Sequence, residues 1–254
     1  MTKLERWKGR NADKDELRRS VWQTLEETGA AIGDPWSTIP DFVGAQAAAE
    51  RFCELPAWQN SQIVKSNPDR AQSWVRLQAL QQGKTVYTPV PELVNDYPFL
   101  LLDPEVLLEQ GVDFESVMFS EGAVEHGQRV QFSDIPPIDF FVVGSVAVTR
   151  EGGRTGKGAG FADLEMGVFR HYGAISADTP IVTTVHDKQL VADDRIVMQA
   201  HDNGLNFIAT PTQLVETTAA YQIPGPIDWA RIQPDQYRNI PFLESLRAEI
   251  ESSD

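Results

Sequence analysis

Four glycines, an arginine and a lysine fall within the eight residues 153–160, GRTGKGAG, and FADLE follows at once. Glycine lets the backbone approach a ligand closely and take positive φ. Successive exposed N–H groups form an anion nest. A helix opening near Phe161 would point its positive end at the same spot. Arg154 and Lys157 add formal charge, and Asp163 stands where a carboxylate can hold a metal that bridges phosphates. These are the ingredients of a phosphate cradle. The spacing matches neither common glycine signature. A Walker A loop needs four residues between its first glycine and Gly-Lys, then Ser or Thr. Here three residues separate Gly152 from Gly156-Lys157, and Gly158 follows. The dinucleotide fingerprint is absent too, because the glycines recur at 156, 158 and 160. Spacing alone leaves a glycine-rich turn between a strand and a helix as an equal reading.

A loop of this kind needs a strand before it and a helix after it. The run IDFFVVGSVAVT, residues 138–149, is apolar and rich in β-branched residues, and reads as one strand buried on both faces. Residues 161–172 read as the helix. Upstream, Leu17, Val21 and Leu25 recur at i, i+4 and i+8 with Trp22 beside them, giving a helix over 13–30 capped by Asn11 or Asp13. Residues 45–55 form a second helix stopped by Pro56, and 63–65 a strand ending in an Asn67-Pro68 turn. Residues 72–82 read as a helix closed by Gly83, and 84–93 as a strand. A strand follows at 180–186, and 205–217 reads as a strand running into a loop. The tail after Tyr221 is rich in Pro and Gln; it is expected to wrap the surface and end in a helix over 242–251. Alternating strands and helices give an α/β fold with a mainly parallel sheet. One domain spanning 1–254 is expected, with its core at 13–217 and a tail at 218–254.

Composition narrows the functional classes. The chain has 254 residues, 41% of them hydrophobic, enough for a full core. A single cysteine, Cys53, excludes an intrachain disulfide and a cysteine-based zinc site. His186 and His201 have no second histidine at ligand spacing, so no zinc site is expected. The polar N-terminus does not resemble a signal peptide, and no apolar run approaches a membrane span. A soluble, cytoplasmic protein with no membrane partner is the expectation. The net charge of -15 disfavours nucleic acid as a partner. It also makes the cluster of Arg150, Arg154 and Lys157 conspicuous.

The glycine stretch resembles the R-x-G-x-G-x-G-Tyr-Tyr-Asp signature of the 5-formyltetrahydrofolate cyclo-ligases. Four further blocks resemble that family in the right order: KDELR at 14–18, GKTVYTPV at 83–90, VHDKQLV at 185–191 and AHDNGLNFIATPT at 200–212. The resemblance spans roughly 13–217 and implies a three-layer α/β/α sandwich. It also implies ATP and Mg²⁺ as cofactors and a reduced folate, or a related small molecule, as substrate. In those enzymes ATP phosphorylates the formyl oxygen of 5-formyltetrahydrofolate, N10 attacks, and phosphate leaves. Carried over by position, Lys14 and Arg18 would contact ATP phosphates. Arg154, Gly156, Lys157, Gly158, Ala159, Gly160 and Phe161 would form the cradle, with Arg154 and Lys157 the catalytic charges. Asp163 and Asp202 would be the Mg²⁺ ligands. A monomer is expected.

Each of these residues has a plainer reading. Lys14 and Arg18 form an i, i+4 pair, which spacing alone places on a solvated helix face. Asp202 follows His201 in a turn and suits a turn-former. Asp163 could stabilise a helix N-terminus without a metal. The chain also departs from the family. Phe161-Ala162 replaces the two tyrosines, and Glu165 stands near where an Arg is usual. The segment SNPDRAQ, 66–72, lacks the glutamate that holds the pterin end of folate. The nucleotide half of the site is therefore expected to be retained and the folate half altered.

Overall fold

The computed structural model describes residues 11–91, 97–221, 227, 229–232, 234–240 and 242–253. The end of the expected strand 84–93, from residue 92, lies outside the described residues. Helix α1 (Ala12–Glu27) begins where the Asn11 side chain accepts from the Lys14 N–H, and Leu17, Val21, Trp22 and Leu25 form its buried stripe. Helix α2 (Ala45–Phe52) and the short α3 (Pro56–Asn60) lead into β1 (Ile63–Ser66). Helix α4 (Ser73–Gln81) returns the chain to β2 (Thr85–Pro89). Next come β3 (Phe99–Leu102), the short helices α5 (Pro104–Glu109), α6 (Phe114–Val117) and α7 (Ser120–His126), and β4 (Gln128–Val130). Strand β5 (Phe140–Val142), the hairpin β6 (Ala147–Val148) and β7 (Arg154–Thr155), and helix α8 (Phe161–His171) follow. The chain closes with β8 (Ile181–Thr184), β9 (Phe207–Ala209), β10 (Leu214–Glu216), α9 (Pro234–Asn239) and α10 (Leu243–Ser253).

Eight strands form one sheet in the order β10-β9-β8-β5-β1-β2-β3-β4. The five from β9 to β2 run parallel, and β10, β3 and β4 add antiparallel edges. Successive side chains on a strand point to opposite faces. Phe140 accordingly packs with Phe52, Trp58 and Val64, while Phe141 packs with Phe99, Phe169 and Leu243. Both faces of the sheet are buried under helices, as in a three-layer sandwich. The chain leaves β1 for β2 on one side and returns to β5 on the other, so the strand order reverses between β1 and β5. In open α/β sheets the crevice outside the carboxyl ends at such a point is where ligands bind.

Two expectations are corrected. The run 138–149 is not one strand. Only Phe140–Val142 joins the main sheet, and Ala147–Val148 pairs instead with Arg154–Thr155. A Cβ at Gly144 would lie 2.8 Å from Asp69 Oδ2 and 3.0 Å from Ile39, so this glycine admits a close approach as the chain leaves the sheet. Because Val143 and Val146 are as buried as the strand itself, hydrophobicity could not mark the break. Nor does the tail merely wrap the surface. Ile240, Leu243 and Leu246 are fully or nearly fully buried in the second core, against Phe132 and Phe169.

Candidate active site

A cavity of about 840 Å³ opens at the switch point. Its walls include the start of α1, the 66–72 segment, Gly144, the glycine loop and the α8 N-terminus. The turn 199–202 and the tail residues Ile227, Ala230, Ile232 and Gln236 complete it. The glycine loop is positioned by backbone geometry at both ends. Gly152 has φ +93°, and a Cβ there would stand 2.5 Å from the Leu205 carbonyl oxygen. Gly160, at φ 75°, is the N-cap of α8 and offers no side-chain cap to the helix. No side chain at the N-cap position covers the first turn of α8, which lies at the cavity wall. Two side chains hold the loop between these glycines. Arg18 Nε donates to the Gly156 carbonyl at 2.6 Å, and Gln236 Nε2 donates to the Ala159 carbonyl at 3.0 Å.

Every residue assigned to the site by sequence lines this cavity: Lys14, Arg18, Arg154, Gly156 to Phe161, Asp163 and Asp202. Lys14 and Arg18 do not lie on a solvated face; they are 8% and 5% exposed. Lys14 Nζ pairs with Asp202 across 188 residues of chain, and Arg18 Nη1 pairs with Asp15 at 2.6 Å. Asp202 Oδ2 also accepts from the Gln199 N–H at 2.7 Å. Arg154, 4% exposed, donates from Nη2 to Asp163 Oδ1 at 2.6 Å. The same oxygen accepts from the Asn203 backbone and side chain at 3.2 and 3.0 Å. Burial alone would raise the Asp163 carboxyl. The Arg154 charge and these hydrogen bonds outweigh it, and Asp163 sits below the ordinary carboxylate value. Among the described residues no group of three or more His, Cys, Asp or Glu side chains could hold a metal.

Several site residues carried no sequence signal. Asn203, 2% exposed, links Asp163 to Arg170, whose Nη2 donates to Asn203 Oδ1 at 2.6 Å. Lys65, fully buried at the end of β1, pairs with Glu165 and donates to Asn67, and its Nζ lies 4.2 Å from the Phe141 ring centroid. Burial pushes the Glu165 carboxyl up and the Lys65 ammonium down, with their mutual attraction opposing both. Glu165 therefore has a partner in the strand beneath it. Arg76, also fully buried, donates to the carbonyls of Asn67, Pro68, Asp69 and Met118, and burial pushes its guanidinium down to about 10. It fixes the 66–72 segment, which brings Asn67, Asp69 and Arg70 to the cavity. Asp69 is a carboxylate of this segment at the cavity wall. A lysine inside an apolar strand and an arginine inside a helix announce themselves only by being out of place.

The 5-formyltetrahydrofolate cyclo-ligase family matches residues 10–211. This chain belongs to that family. The match takes in α1, the glycine loop and the turn at Asp202. Among curated relatives, the methenyltetrahydrofolate synthase domain-containing protein of Bos taurus is 34% identical over 242 residues, 94% of this chain and 63% of that protein. Its Homo sapiens counterpart is 33% identical over 237 residues, 92% of this chain and 61% of that protein. The chain thus spans under two thirds of the length of these relatives. The NMR structure of Aquifex aeolicus 5,10-methenyltetrahydrofolate synthetase shares the fold, with a TM-score of 0.51 at 19% identity. The superposition covers 87% of this cyclo-ligase family member and 99% of the Aquifex chain. No helix of the described residues is long and apolar enough to cross a membrane.

Proposed function

We propose that this chain is an ATP- and Mg²⁺-dependent cyclo-ligase that converts 5-formyltetrahydrofolate to 5,10-methenyltetrahydrofolate. One observation carries the reading. Lys14 and Arg18 of α1, Arg154 and Lys157 of the loop, and the N-terminus of α8 converge on one cavity at the switch point. In the reaction the formyl oxygen attacks the γ-phosphorus of ATP and ADP leaves. N10 then adds to the formyl carbon and gives up its proton, and phosphate departs as the one-carbon bridge closes. The protein's part is to align the reactants and neutralise charge on the transferring group. Lys14, Arg18, Arg154 and Lys157 supply the positive charge, and the 156–160 loop supplies backbone donors.

Mg²⁺ prefers one or two carboxylates plus substrate phosphates. Asp163 and Asp202 fit that demand. The hydrogen bonds from Arg154, Asn203 and Gln199 fall on Asp163 Oδ1 and Asp202 Oδ2, while Asp202 Oδ1 lies 3.6 Å from His201 Nε2. When bound, the cation would supply positive charge that offsets the charge of the substrate phosphates. Arg154 and Lys14, which compensate the two carboxylates, would then turn to phosphate oxygens.

The altered pterin wall favours a second reading. Without the family glutamate in 66–72, the nucleotide site could serve another small heterocycle, such as a thiamin-related one, or a non-catalytic regulator. Methenyltetrahydrofolate absorbance after mixing the protein with Mg-ATP and 5-formyltetrahydrofolate separates the two. We expect an ATP-dependent rise that Asp163→Asn abolishes. No rise from a protein that still binds ATP would favour the second reading.

A further inference from the structure

Two braces hold the glycine loop, and they come from opposite ends of the chain. Arg18 of α1 donates to the Gly156 carbonyl at 2.6 Å, and Gln236 of α9 donates to the Ala159 carbonyl at 3.0 Å. A peptide unit is planar, so fixing its carbonyl fixes the direction of the N–H on its other side. Arg18 therefore sets the Lys157 N–H, and Gln236 sets the Gly160 N–H. Neither N–H donates to a backbone carbonyl among the described residues. Gly160 is also the N-cap of α8, where its φ of 75° starts the helix. A loop this rich in glycine has many conformations to lose, and ordering it costs entropy either on folding or on ligand binding. Gln236 is placed to meet that cost on folding. It is only 5% exposed, and a buried amide costs stability unless it is hydrogen-bonded. Ile240 follows one helical turn on, its N–H donating to the Gln236 carbonyl at 2.9 Å. With Leu243 and Leu246 it is sunk in the core cluster that holds Phe169 of α8. The glutamine is thus the polar end of an apolar anchor, and the close packing of the core makes that anchor stiff. The family match ends at residue 211, so this brace comes from beyond it.

We propose that Gln236 is a positioning residue for the anion cradle: through the Ala159 carbonyl it sets the 159–160 peptide and the start of α8 before a phosphate arrives. Donors held in place beforehand need no reorganisation when charge is bound. The inference deepens the proposed function. Its ligand readout rests on that reading, and its loop readout does not.

Gln236→Met tests it, because methionine is similarly long and unbranched but donates no hydrogen bond. The first readout is nuclear spin relaxation of the backbone amides in the unliganded protein. Order parameters at Gly158, Ala159 and Gly160 should lie near the rigid value of about 0.85 in the wild type and fall toward about 0.6 in the variant. Met166 to Phe169, in the same core cluster as the tail anchor, should not change. The second readout is calorimetric titration with Mg-ATP, whose affinity should fall roughly 3- to 10-fold. Gln236→Glu, which sets a carboxylate against the Ala159 carbonyl, should lower it further. A loop that stays rigid in Gln236→Met would overturn the inference. So would a loss of order that extends through 166–169, which would make Gln236 an ordinary packing residue, or an unchanged Mg-ATP affinity in a loosened loop. If the wild type does not bind Mg-ATP, the nucleotide reading falls, and the relaxation comparison alone decides for or against the brace.

Discussion

Asp163 is the residue on which most of the site's electrostatics turn. It balances Arg154, anchors Asn203 and offers one oxygen to the cavity. Its carboxyl is held below the ordinary value of 3.8. A depressed carboxylate stabilises the fold fully above its unfolded value, and the stabilisation is lost as pH falls through the folded value. Asp163→Asn should therefore lower Tm most at neutral pH. The gap to the wild type should close as pH drops below 3.8 toward the depressed native value. A gap that stays constant from pH 7 to the acid limit, followed by circular dichroism, would show that the Asp163 charge contributes nothing. The neighbouring Lys65–Glu165 pair obeys a different rule. Both ions are buried, so their attraction is offset by the cost of desolvating them. That pair fixes the chemistry of the cavity floor more than it stabilises the fold.

At the scale of elements, the glycine loop is a strand-to-helix connection whose shape depends on two left-handed residues. Gly160 must take φ 75° to start α8 where it starts. Alanine there should cost about 1 kcal/mol from backbone strain alone. Gly152 is under a harder limit, because a methyl group would meet the Leu205 carbonyl at 2.5 Å as well as a φ of +93°. Gly152→Ala should cost clearly more than Gly160→Ala in urea unfolding. The expected effects on function are reversed. Under the proposed function, Gly160→Ala would shift the helix N-terminus at the cavity wall and should weaken Mg-ATP binding more per unit of stability lost. Equal stability losses in the two variants would count against the close Gly152–Leu205 contact.

At the scale of the whole molecule, the tail is part of the domain. Leu243 is fully buried beside Ile240 and Leu246, in the same cluster as Phe169 of α8. Leu243→Ala should cost about 2–5 kcal/mol, as a residue in the centre of a core does. A cost under about 0.5 kcal/mol, typical of surface substitutions, would return the tail to the surface. Through Gln236 and the Ala159 carbonyl the tail also reaches the glycine loop. Tail packing and glycine-loop geometry are therefore physically linked. The cavity is bounded on one side by a segment beyond the family match at 10–211.

The sequence by itself determined the alternation of strands and helices, and with it the parallel α/β sheet. Such patterns are local: a 3.6-residue stripe in α1, an apolar run at β5, a β-branched run in β8, glycines before α8. It also singled out Lys14, Arg18, the 156–160 loop and Asp202, which the fold brings to the wall of one cavity. Tertiary structure alone decided what those residues touch. Nothing in the local pattern pairs Lys14 with Asp202, 188 residues away, or places Asn203 between Asp163 and Arg170. The break at Gly144 was hidden because its cause, the approach of Asp69 and Ile39, comes from another part of the chain. Residues buried on every side lose the periodicity that marks a surface. Long-range charge pairing leaves no periodic trace at all, so the partners in this site emerged only once the sheet had brought them together.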